Sequence, residues 1–202
     1  DEPKKNIIDG HEYVDLGLSV KWATCNVGAK SETDYGSYFA WGETAEKTNY
    51  AWKNSGEYKW GIYDSSDDTN YGMTKYNTKD GFTTLEAGDD PATAAWGSKW
   101  RSPSFDEIKE LLYNCDWTWD AKNGVNGYIV TGKNGNSIFL PAAGFHDGSE
   151  LKDAGCYGSY WSSSLNEYYP SDANSFCFES GDIDWYSDYR YYVESVRAVT
   201  AK

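Results

Sequence analysis

From Val14 to Trp22 apolar side chains alternate with polar residues or glycine: Val14, Leu16, Leu18, Val20 and Trp22 against Asp15, Gly17, Ser19 and Lys21. A period of two predicts a half-buried strand, or two strands joined at Gly17. Tyr35–Gly42 reads as a further short aromatic strand, and residues Asp1–Asp9 read as a linker remnant. From Glu43 to Glu86 no period is visible. A stretch this long without periodicity predicts a surface insertion, here anchored by Trp52, Trp60, Tyr63 and Tyr76.

The period then changes. Asp89–Gly97 predicts a short helix capped by an Asp, with Pro91 in its first turn and Gly97 at its end. Ser104 and Glu107 have capping-box spacing, and Phe105, Ile108, Leu111 and Leu112 mark one face of a second helix. Gly127–Thr131 and Ser137–Leu140 flank Asn134-Gly135, a hairpin signal. Strands, two helices and then strands predict an α+β domain. The expected division is one domain over 10–202, with the insertion near 43–88 and a tail near 158–199.

The tail begins at Gly158-Ser-Tyr-Trp-Ser-Ser-Ser164 and ends at Ser195-Val-Arg-Ala-Val199. Between Asn166 and Tyr192, 16 of 27 residues are Asn, Asp, Ser or Tyr, and Arg190 is the only cation. So polar a tract alone predicts disorder. Yet Phe176 alternates with Phe178 and Ile183 with Trp185, as on one face of a strand. The expectation is therefore a set of strands and loops that display Tyr, Asn, Asp and Ser outward. Tyr and Trp give stiff amphipathic contact area, while Ser and Asn give adaptable hydrogen bonds, which is the chemistry of a binding surface.

Composition sharpens this reading. Ten Trp, eighteen Tyr and seven Phe offset a hydrophobic content of only 39%, so the core should be Trp-rich. A net charge of −14 argues against nucleic acid and against anionic membrane surfaces. No apolar run is long enough to span a membrane. The chain opens at Asp1, as expected of a secreted or cell-surface protein whose signal peptide is removed, with a lipoprotein anchor as a further option. Cys25, Cys115, Cys156 and Cys177 form no Cys-x-x-Cys pair and are expected to be free and buried.

Several motifs together carry a resemblance: Glu12–Ala29, Ala40-Trp-Gly-Glu43, Ala94-Ala-Trp-Gly97, Trp100–Leu112, Asn134–Gly144, Tyr160-Trp-Ser-Ser-Ser164 and Ser195-Val-Arg-Ala-Val199. In this order they resemble secreted proteins of gut bacteria with a C-type-lectin-like fold of the formylglycine-generating-enzyme subtype. The tail resembles the variable region of members diversified by retroelements, in which Asn codons are randomised to Tyr, Ser, Asp and others. The resemblance implies small twisted antiparallel sheets, two helices and long loops. It also implies a ligand-binding set of Asn166, Tyr168, Tyr169, Asp172, Asn174, Asp182, Asp184, Tyr186, Ser187, Asp188, Tyr189 and Tyr191, to which Trp185 is added for its stacking face. Trp185, Glu167, Glu179 and Glu194 lie outside that codon set, and Val193-Glu194 stands where the family commonly shows Gly-Phe.

The expected partner is a protein or glycan ligand on another cell or surface. The expected role is receptor or adhesin-like binding, with no cofactor. Cys156 and Cys177 invite comparison with the copper-binding cysteines of the formylglycine-generating enzymes, but their surroundings do not match, so no catalysis is expected. The triplets of lectin calcium sites do not occur, and Asp182, Asp184 and Asp188 read as solvated acids. His11 and His146 have no recognisable nucleophilic partner. Arg101 and Arg197 read as framework ties. A surface or pilus-associated structural domain, whose tail mediates assembly, is the second reading.

Overall fold

The computed structural model describes residues 6–47 and 58–202. The chain is α+β, with two α-helices and fourteen mostly short strands among the described residues. In order these are β1 (Ile7–Ile8), β2 (His11–Val14), β3 (Lys21–Ala23), β4 (Tyr38–Ala40), α1 (Pro91–Trp96), α2 (Phe105–Asn114), β5 (Cys115–Lys122), β6 (Val125–Gly132) and β7 (Ser137–Pro141). Then follow β8 (Phe145–Asp147), β9 (Glu150–Lys152), β10 (Tyr157–Leu165), β11 (Asp172–Glu179), β12 (Asp182–Tyr189), β13 (Val193–Ser195) and β14 (Val199–Thr200).

Three sheets result. One runs β1-β2-β3-β14 and so joins the two ends of the described chain; a second is the meander β5-β6-β7. The largest runs β12-β11-β10-β13-β8-β9, with β4 also paired to β13. Among the strands of the described residues only β10 and β13 pair in parallel, because the chain reaches β13 through the β11–β12 hairpin and returns beside β10.

The alternation at 14–22 becomes two strands rather than one. Between β2 and β3 the chain turns at Gly17, whose φ is +80°, and Asp15 accepts the Gly17 amide at 2.8 Å. Leu16, Leu18 and Val20 are nonetheless buried in the first core, beside Ile108 and Leu111 of α2 and Tyr160, Phe176 and Phe178 of the large sheet. The expected linker is shorter than 1–9, since Ile8 pairs with His11 and Ile7 with Glu12. β5, unmarked by turn signals at its start, follows α2 directly and places Trp117 and Trp119 against Tyr128 and Phe178.

Both helices follow their end signals. Asp90 caps α1 by accepting from the amides of Ala92 and Thr93, and Ser104 and Glu107 form the full capping box of α2. A second core is tryptophan-rich: Trp22 belongs to the first, while Trp41, Trp96, Trp100 and Trp161 fill this one with Tyr76 and Phe39. Arg197 is fully buried and ties three elements. Its Nε donates to Asn26 Oδ1, and its Nη atoms donate to the carbonyls of Ala23 and Phe139. Arg101 forms a bidentate pair with Glu107, whose carboxyl is held below its usual range despite burial.

The insertion is largely turns over 58–88, and it is fastened rather than free. Tyr76 is fully buried, and Trp60 and Tyr63 pack against buried clusters. Trp52, the remaining expected anchor, lies outside the described residues. Asp89 is the hub: it accepts from Lys59 Nζ at 2.8 Å, Lys75 Nζ at 2.6 Å and Tyr76 Oη at 2.7 Å. Burial alone would raise its pKa, but these donors outweigh burial and hold it below the usual carboxylate range.

Candidate functional site

The tail forms β10, β11 and β12, an antiparallel ribbon whose faces alternate, with a bulge in β10 between Trp161 and Leu165. One face carries Tyr160, Phe176 and Phe178 onto the core, and continues on β12 as Ile183, Trp185, Ser187 and Tyr189. The opposite face carries Tyr157, Ser159, Ser175 and Cys177, and on β12 Asp182, Asp184, Tyr186 and Asp188. The single expected display surface is therefore divided, since adjacent residues of a strand point to opposite sides.

The first face ends in a groove of 860 Å³, lined by Trp185, Tyr168, Asn166 and Asn174 of the tail. Its other wall is the start of α2 together with Thr83 and Thr84 from the end of the insertion. The insertion reaches this wall through backbone bonds: Leu85 N–H donates to Ser163 O and Leu165 N–H to Thr83 O, both at 2.9 Å. Trp185 is 44% exposed and stands edge-on to Phe105 at 5.4 Å. Tyr168 is 77% exposed, at the tip of a turn in which Asn166 Oδ1 accepts the amides of Tyr168 and Tyr169.

A second group forms a tyrosine ridge. Tyr189 stacks on Tyr191 at 5.2 Å and meets Tyr63 of the insertion at 5.5 Å, while Tyr169 meets Tyr71 at 6.1 Å. The third group is the acidic outer face, where Asp182, Asp184 and Tyr186 border a recess of 240 Å³ with Tyr157 and Cys177.

Two members of the expected set are not displayed. Asn174 is buried, and its amide donates to Leu165 O at 3.0 Å, bracing the loop between β10 and β11. Tyr191 is buried in a third cluster with Tyr38, Tyr58, Met73 and Val193. Asp172, Ser187 and Asp188 are half-buried. Ser171 Oγ donates to Asp172 at 2.6 Å, and burial raises the Asp172 carboxyl.

Phe105, Lys109 and Tyr113 were missed as groove residues. They fall four apart, a second stripe on α2 beside the core stripe, and that spacing is the signal in the sequence. Lys109 lies 4.6 Å over the Phe105 ring and pairs with Asp106 at 2.6 Å.

The four cysteines are free. Cys177 faces away from Phe176 and Phe178, as their alternation predicts, and burial pushes its thiol up to about 11. Burial is not shared by all four: Cys177 is buried and Cys25 and Cys115 partly so, whereas Cys156 is exposed in the turn before β10. His146 lies in β8, edge-on to Tyr38, and His11 stacks on Trp96 at 4.0 Å. Among the described residues no three His, Cys, Asp or Glu are placed to hold a metal ion. No helix among them is long and apolar enough to cross a membrane. No protein-family model, curated protein or solved structure matches the chain.

Proposed function

We propose that the chain is an extracellular ligand-binding protein, receptor or adhesin-like, built on a C-type-lectin-like scaffold, and that its ligand seats in the groove at Trp185. The groove itself carries the reading. Its 860 Å³ lies within the roughly 300–1,000 Å³ of typical ligand sites. An exposed indole held by Phe105 offers a stiff flat stacking surface, and Asn166, Thr83, Thr84 and Ser164 offer orienting hydrogen bonds. That mixture suits a neutral polar ligand, either a glycan or a polar segment of a surface protein.

The exposed members of the tail also suit a variable display. Tyr168, Tyr169, Asp182, Asp184 and Tyr186 stand outside the three cores, so exchanging them leaves the frame intact. A near-identical template repeat beside the coding region, with adenines at these codons, would mark retroelement diversification.

The binding experiment is a glycan and surface-protein screen with the intact chain, followed by Trp185→Ala and Tyr168→Ala. Each substitution is expected to weaken the ligand found by about tenfold or more, as central aromatic anchors do. Undiminished binding by both variants sinks the assignment of the groove.

A further inference from the structure

The outer face of the large sheet holds an acid that the groove does not use. Glu194, on β13, is only 2% exposed, and among the described residues its Oε2 has no hydrogen-bond partner. It lines a recess of 70 Å³ with Phe145, Tyr157, Ser159, Asp188 and Tyr192. That is about five times the space one water needs. Phe145, Tyr157, Asp188 and Tyr192 are half-buried, so the recess opens to the surface.

Among the described residues no neighbouring element gives Glu194 a cation. β12 contributes Asp188 and β10 contributes Ser159, and both hydrogen-bond to it; Tyr157 of β10 flanks them in the same recess. Cys177 of β11 is a neutral thiol facing Tyr157, with Asp184 nearby. β4 sets Phe39 opposite, and beyond it Glu46 accepts the Tyr38 amide. On the side of β8, Asp147 adds negative charge near Tyr192. Lys152 of β9, two strands away on the same face, is held by Glu150 at 2.7 Å. Arg190 and Arg197 are spent on carbonyls elsewhere.

We infer that the Glu194–Asp188 recess is a second binding site, distinct from the groove, which takes an organic cation: a guanidinium or primary ammonium group, free or on an Arg or Lys side chain of a partner. Two carboxyls supply the charge and the unused acceptor. Three rings frame the opening, with Phe145 edge-on to Tyr157 at 5.9 Å and 6.3 Å from Tyr192, and aromatic faces attract cations. Two carboxylates are too few for calcium, which wants six to eight oxygens.

The recess is proton-linked. Burial, and then the charge of Asp188, raises Glu194 well above the usual carboxylate range, and burial raises Asp188 too, so the empty pair favours holding a proton. A cation displaces it, and affinity climbs with pH by roughly tenfold per unit while Glu194 is protonated.

The test is an amide NMR titration of the intact chain with n-butylguanidinium, n-butylammonium and a capped Gly-Arg-Gly peptide, from pH 5 to pH 8. We expect saturable shifts at Tyr157, Ser159 and Glu194, tighter at high pH. Tighter binding of the peptide assigns the site to a partner side chain, and tighter binding of the free cations assigns it to a small molecule. Glu194→Gln should lose about tenfold or more in affinity, and Asp188→Asn, at the more exposed rim, keeps the test valid if Glu194→Gln misfolds. Trp185→Ala, on the opposite face, should bind the cations unchanged whatever becomes of the groove. Binding independent of pH, retained by Glu194→Gln or Asp188→Asn, or reproduced by Ca²⁺ alone overturns the inference.

Discussion

Arg190 fastens the insertion to the tail, and replacing it by Met should release the two. Its guanidinium is fully buried. Nε donates to Tyr58 Oη at 3.0 Å, Nη1 to Pro170 O at 2.8 Å and to Tyr76 O at 3.2 Å, and Nη2 to Lys75 O at 3.0 Å. Met keeps much of the stem's bulk and supplies none of these donors. Lys75 O borders solvent and can turn to water, and Tyr58 Oη keeps the bond it donates to Trp41 O, so two buried carbonyls, those of Pro170 and Tyr76, are stranded. Each stranded acceptor costs about 1–3 kcal/mol. The lower figure applies here, because the cost of desolvating the guanidinium disappears with it. The loss is then about 2 kcal/mol, a sizeable share of the roughly 5–15 kcal/mol that stabilises a typical domain. For a chain of this size that lowers Tm by about 4–8 °C. Urea unfolding and calorimetry measure the loss, and limited proteolysis should place the first new cuts between Tyr58 and Asp89. A loss below about 1 kcal/mol, or an insertion no easier to cleave, refutes the role given to Arg190.

Other outcomes follow from the same contacts. Asp89→Asn weakens three charge-assisted or hydroxyl hydrogen bonds and should cost about 1–3 kcal/mol near neutral pH. Because the folded Asp89 carboxyl is depressed, the wild type loses this contribution as pH falls below about 4, and the variant's acid limb should be flatter in pH-dependent melting. Glu194 has the opposite sign: its raised carboxyl favours folding below its usual value of 4.5 and costs stability as pH rises, so Glu194→Gln should gain on the wild type from pH 5 to pH 8. Gly158→Ala places a methyl against the Phe178 ring, and should destabilise by about 1–3 kcal/mol in urea. Tyr186→Ala should leave Tm almost unchanged, whereas Tyr191→Ala, cut from a buried cluster, should lower it by several degrees.

Local pattern determined much of this protein. Capping residues and a helical period placed α1 and α2, and the Asn134-Gly135 turn placed β6 and β7, because those signals act within a few residues. Alternation of Phe176 with Phe178 and of Ile183 with Trp185 placed β11 and β12 and turned Cys177 outward. The polarity of the tail also marked candidate binding residues, since exposed Tyr, Asn and Asp have no packing reason to be there.

Tertiary structure alone decided which of them share a surface. A strand gives its residues to two sides in turn, so Trp185 and Tyr189 part from Asp184 and Tyr186 although they are sequence neighbours. Asn174 and Tyr191 look no different from their exposed counterparts in sequence; only the loop across Leu165 and the cluster around Val193 bury them. The groove joins side chains from residues 83–84, 105–113 and 166–185, and the Glu194 recess joins residues from 145 to 194. Those meetings depend on the parallel pairing of β10 with β13 and on the insertion's bonds to Ser163 and Leu165. Contacts so distant along the chain leave no local period to read, because they are set by sheet order and not by neighbouring residues.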